Sequence, residues 1–167
     1  MKKKIGIVDT TFARINMGQL AENKIKQIVE NNKNINCETV RVTVPGFKDL
    51  AVACQILLDE QKCDFALALG WVGGMPIDEQ CAHEAALAIA MAQLMCKKHI
   101  LHIFVHESEA KDEAEANRSE TLCNIAIDRV QSHAQNAIWM LFEPEIMIQR
   151  AGQGCRQGGP SVGPIAK

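Results

Sequence analysis

Tyrosine is absent from this chain of 167 residues, and two Trp and five Phe are too few flat faces to stack a run of bases. An excess of either charge is missing as well. Eighteen basic and 20 acidic residues leave a formal net charge of −2, which argues against a general polyanion binder. Nucleic acid is therefore not an expected partner. Long apolar runs are also lacking. The longest, Ala85 to Ala92, has eight residues against the roughly 20 of a membrane span, so no membrane partner is expected. Met1-Lys2-Lys3-Lys4 is basic, but the apolar stretch after it stops at Val8, too soon for the core of a secretory signal. The seven cysteines include no C-x-x-C pair and are odd in number. Neither a zinc or redox motif nor a complete disulfide framework is expected. They read as buried thiols in a reducing compartment, and the chain as cytoplasmic.

What is present is an alternation. Lys4-Ile5-Gly6-Ile7-Val8 is a short apolar run that meets Asp9-Thr10-Thr11, a strand running into a turn. Met17, Leu20, Ala21, Ile25, Ile28 and Val29 recur at helical spacing. Ile35 to Thr43, with Val40, Val42 and Val44 alternating with polar residues, reads as a second strand. Leu50 to Leu58 carries the next helical stripe, and Phe65 to Leu69, ended by Gly70, a third strand. From about Asp78 to Lys97 the pattern is helical but apolar on almost every side, which predicts burial on more than one face and hints at a subunit interface. Ile100 to Val105 gives a fourth strand, and Leu122 to Leu141 a long last helix. Residues 1–150 are expected to form one α/β domain with a four-stranded parallel sheet between two helical layers. Residues 151–167 are read as a tail rich in Gly and Pro.

In such sheets ligands sit outside the carboxyl ends of the strands. That rule selects four loops: Asp9–Arg14, Thr43–Asp49, Gly70–Gln80 and His106–Asp112. The first contains no glycine, so it is neither a Walker A loop nor a dinucleotide fingerprint, and it makes a poor flavin-phosphate cradle. Its Phe12 is either loop packing or a face on which a planar heterocycle stacks. Pro45 and Gly46 bring a rigid turn whose backbone a ligand can approach closely. Lys48 could meet an anion or a carbonyl, or lie solvated at a helix start. His83 is a hydrogen-bonded helix-start residue or a proton carrier near neutral pH. Leu87 stands where a zinc-protease helix needs its second histidine, and Cys81 cannot face His83 from two positions away. His102 and His106 share a strand face while His99 points away, so no metal site is expected there. Between Gly70 and Glu84 there is no Lys or Arg, but Asp78, Glu79 and Glu84 are present. A phosphate ester is thus a poor ligand for this loop.

Blocks along nearly the whole chain resemble the archaeal-type riboflavin synthases. They are Lys4 to Arg14 (KIGIVDTTFAR), Thr43 to Leu50 (TVPGFKDL), Ala68-Leu69-Gly70, Cys81-Ala82-His83-Glu84-Ala85, Phe104-Val105-His106-Glu107 and Ala151 to Gly158 (AGQGCRQG). The Trp71–Ile77 segment departs from that family's pattern. The resemblance implies a flavodoxin-like sheet, a lumazine synthase-like domain, and a homopentamer with substrate bound between subunits. It further implies a dismutation in which two molecules of 6,7-dimethyl-8-ribityllumazine yield riboflavin and 5-amino-6-ribitylaminouracil. No redox cofactor is then required, and Mg²⁺ assistance is left open. By the same resemblance Phe12 lies against a lumazine ring. Val44, Pro45 and Gly46 follow the ribityl chain or ring edge with Lys48 close by, and Gly70 and Trp71 border the pyrimidine. His83 moves protons, and His102, Phe104, His106 and Glu107 reach in from a neighbouring subunit. The rival expectations are a lumazine synthase, which must also bind a phosphate, and a non-catalytic flavin-binding protein.

Overall fold

The computed structural model describes residues 2–156 and 160–164. Strand β1 (Lys3–Thr10) leads into helix α1 (Met17–Asn31), then β2 (Cys37–Val44), α2 (Leu50–Asp59), β3 (Phe65–Val72), α3 (Pro76–Cys96), β4 (Ile100–His106), α4 (Glu115–Phe142) and α5 (Pro144–Arg150). The four strands are all parallel in the order β2-β1-β3-β4. This is the doubly wound, flavodoxin-like order, in which the winding reverses between β1 and β3.

Alternation along the strands divides the core. Ile5, Ile7, Phe65, Leu67, Leu69 and Trp71 point to one face, where Met17, Ala21 and Ile25 of α1 and Ala126, Val130 and Ala134 of α4 cover them. Val8, Ala66, Ala68 and Val72 point the other way, under Leu50, Leu57 and Leu58 of α2 and Ala82, Ala85 and Ile89 of α3. Covered on both sides, β3 is buried along its whole length, and this is why it reads as a continuous apolar run. Residues with capping chemistry set the helix starts. The Asn16 side chain accepts from the Gln19 N–H at 3.0 Å, and the Asp78 carboxylate accepts from the Met75 N–H at 3.1 Å just ahead of Pro76.

Two boundaries differ from the sequence expectation. β3 does not stop at Gly70 but continues through Trp71 and Val72, which pair with Val105 and His106 of β4. The expected Gly70–Gln80 loop therefore shrinks to residues 73–75, and α3 begins at Pro76. Gly70 is a strand residue without a side chain because there is no room for one: a Cβ there would come under 3.0 Å from the Phe47 ring. The short helix α5 lies ahead of the expected tail, started by Pro144. The tail itself falls partly outside the described residues, at 157–159 and 165–167.

Candidate active site

At the carboxyl edge, where the winding reverses, a cleft of about 480 Å³ opens on the α2 and α3 side. Phe12 after β1, Pro45 to Asp49 after β2, Trp71 and Gly73 at the end of β3, and Asp78 and Cys81 of α3 line it. Its volume lies within the range of about 300–1,000 Å³ common to small-molecule sites. Phe12 is 58% exposed, an unusual amount of bare aromatic surface beside a cleft. Two bonds hold the stretch before Phe12 against the end of β2: Thr11 N–H donates to Val44 O and its hydroxyl to Pro45 O, each at 2.9 Å. Behind the Pro-Gly turn the Phe47 ring meets Phe104 edge to face, with centroids 4.8 Å apart, and His102 lies 5.2 Å from Phe104.

The cleft carries carboxylates and one paired cation. The Gly46 N–H donates to Asp49 at 3.1 Å, while the exposed Lys48 ammonium forms an ion pair with Glu84. That bond holds the Lys48 pKa above the ordinary lysine value and the Glu84 carboxyl below its own. Among the described residues, no three His, Cys, Asp or Glu side chains are grouped so as to hold a metal ion.

Of the residues singled out from the sequence, Phe12, Pro45, Gly46, Lys48 and Trp71 meet at this cleft. The indole of Trp71 is wholly buried, so its ring is not offered to a ligand. Val44 and Phe104 are buried beside the cleft without lining it, and Gly70 supports it from below. His83 is exposed on α3 and outside the cleft, as is His102 on β4. Although its ring is exposed at the sheet edge, crowding by neighbouring atoms, with His133 second, lowers the His102 pKa. His106 Nδ1 lies 2.7 Å from Glu79 Oε2. Glu107 is engaged by Arg14 and Trp71.

The sequence reading missed Phe47 and Cys81 as lining residues, and it missed a charged group at the root of the first loop. Asp9, 6% exposed, forms an ion pair with Arg41 and accepts from the Thr43 hydroxyl at 2.7 Å. Arg41 also donates to Asn16 at 2.7 Å, which ties the cap of α1 to β2. Asp9 and Thr43 are register partners on adjacent strands, so the signal lay in a pairing that only the sheet order supplies.

The family model for 6,7-dimethyl-8-ribityllumazine synthase matches residues 2–144. The chain belongs to this family. Within the lumazine synthase family, its relatives include the riboflavin synthase of Methanothermobacter marburgensis, 46% identical over 97% of this chain and 99% of that protein. The riboflavin synthase of Methanothermobacter thermautotrophicus is 44% identical with the same coverage. That of Archaeoglobus fulgidus is 43% identical over 98% of this chain and 99% of its own length. The resemblance to archaeal-type riboflavin synthases is thus borne out over nearly the full length.

Proposed function

We infer that the chain is a riboflavin synthase, which dismutates two molecules of 6,7-dimethyl-8-ribityllumazine into riboflavin and 5-amino-6-ribitylaminouracil. One lumazine loses a proton from its C7 methyl group, and the carbanion attacks the second, which gives up its four-carbon unit. The ring system delocalises the charge, so the protein must stack and orient two heterocycles and move protons. Phe12 supplies the stacking face, Pro45 and Gly46 the backbone edge, and Lys48 a fixed positive charge. His83 is the proton carrier. A redox cofactor has no part in this chemistry.

The observation that carries the reading is the charge of the cleft. Asp49 and Asp78 line it, and its one lysine is already paired with Glu84. A substrate without phosphate suits such a lining, and a lumazine synthase would need to seat one. The near full-length relatives named riboflavin synthase support the same reading.

The assembly we propose is a homopentamer with sites between subunits. The outer face of α3 supports it: Leu87, Met91, Leu94 and Met95 are each more than half exposed. Covering a large apolar side chain stabilises by about 1.5–3 kcal/mol. In that assembly His83 and His102, which lie outside the cleft of their own chain, reach a site shared with a neighbour. Seven free thiols fit a cytoplasmic setting.

The test is to supply purified protein with 6,7-dimethyl-8-ribityllumazine alone and resolve the products. Riboflavin and the diaminouracil are expected one to one, with EDTA and with Mg²⁺ in parallel to read any metal dependence. No riboflavin in either tube, with lumazine formed from ribitylaminouracil and a four-carbon phosphate, would move the assignment to lumazine synthase. Sedimentation should give five times the 18.4 kDa chain mass.

A further inference from the structure

Phe12 is held from two sides, and only one hold belongs to its own neighbourhood in the sheet. Ahead of it Thr11 is fastened to Val44 and Pro45 at the end of β2. After it comes Arg14, whose Nε and Nη2 donate to Glu107 Oε1 at 3.0 and 2.6 Å across 93 residues of sequence. The same oxygen accepts from the Trp71 indole N–H at 3.3 Å. The backbone of Gly74 lies close by: a Cβ at Gly74 would stand 3.2 Å from Glu107 Oε2. One carboxylate thus joins the loop that presents Phe12 to the end of β3 and lies against Gly74, next to the Gly73 rim of the cleft.

We propose that Glu107 is a positioning residue for the dismutation, setting the distance between the Phe12 ring and the Gly73 rim. This rests on the reading of the chain as a riboflavin synthase. The Arg14 side chain is 60% exposed and that of Glu107 23%, so water and salt compete with the pair and its share of global stability is small. Its value is geometric. Two guanidinium nitrogens on one carboxylate oxygen fix direction as well as distance. A reaction between two stacked heterocycles is sensitive to small displacements of the face that holds one of them. The sequence resemblance had Glu107 reaching a neighbour's substrate directly. Its three donors within its own chain give it a different task.

The two roles separate in a double-substitution cycle. Glu107→Ala is expected to lower kcat/KM by about 100-fold, the scale on which a displacement of about 1 Å acts. Arg14→Ala should reproduce most of that loss, and Glu107→Gln, which keeps the acceptor oxygen, should recover part of it. In a Phe12→Ala background the further loss from Glu107→Ala should shrink to less than about threefold, because the ring it positions is gone. Full additivity of the two losses would overturn the proposal in favour of direct substrate contact. Hydrogen exchange gives a readout free of turnover. Amides of residues 12–14 and 73–75 should exchange faster in Glu107→Ala than in the wild type, and unchanged rates would also overturn the proposal. A wild-type protein with no riboflavin synthase activity would defeat the functional reading, while the exchange experiment still decides the clamp.

Discussion

The ammonium of Lys48, on the turn after β2, is ion-paired with the carboxylate of Glu84 on α3. The hydrogen bond to Glu84 raises the Lys48 pKa, so the lysine remains charged throughout the neutral range. The sign follows from that direction: its contribution to folding is complete below the unfolded value of about 10.4 and is lost as pH rises through the higher folded value. Lys48 is then a fixed cation and not a base. Lys48→Met should raise KM several-fold and leave the limbs of the kcat profile between about pH 6 and 9 in place. Loss of the limb on the acid side would make Lys48 the proton acceptor instead.

His83 stands exposed on α3 and does not line the cleft of its own chain. If it carries protons in a shared site, His83→Asn should depress kcat by about 100-fold, within the usual range for a general acid or base. Binding of an unreactive ribityllumazine analogue, followed by calorimetry, should stay nearly unchanged. A collapse of binding would recast it as an orienting contact.

Gly18 lies on the first turn of α1 directly over the Asp9 and Arg41 pair. A Cβ there would come under 3.0 Å from both Arg41 Nε and Asp9 Oδ2. Gly18→Ala should therefore destabilise the fold by about 1–3 kcal/mol, against the gain usual for alanine in a helix. Urea unfolding measures it. A stabilised variant would mean that the ion pair can shift aside freely.

Arg129 of α4 donates from Nη1 to Phe104 O at 2.6 Å and to Glu109 at 2.7 Å. Arg129 holds the Glu109 carboxyl below the ordinary glutamate value, and Arg14 does the same for Glu107. Depressed carboxylates stabilise above the unfolded value of about 4.3, and that stability is lost as pH falls through the lower folded value. Arg129→Gln should move the midpoint of acid unfolding upward, read by circular dichroism. An unmoved midpoint would show that the pair adds nothing net.

The layers, the strand directions and the ligand edge were legible because period-two and period-3.6 patterns record which face is buried. Residues such as Phe12, Pro45 and Lys48 could be assigned to that edge once the strands were counted. The end of β3 was not legible, because Gly70 looks like a stop until the Phe47 ring that excludes its side chain is in view. Arg41 looked like an outward polar residue in an alternating strand, and only the pairing of β1 with β2 brings it to Asp9. The Arg14 and Glu107 contact spans 93 positions, a distance over which no local pattern informs.

Burial also sorts the seven thiols by reactivity. Desolvation pushes Cys54 up to about 12 and Cys37 to about 11, where almost no thiolate exists at neutral pH. Cys155 is exposed, at the rim of a second cleft that Trp139 and Arg150 help to line. A maleimide dye added to the unaltered protein should therefore mark the segment after α5 well before it marks Cys37 or Cys54. The chain comes with its own attachment point for a fluorescent reporter, on the face of the sheet opposite the cleft that Phe12 and Lys48 line.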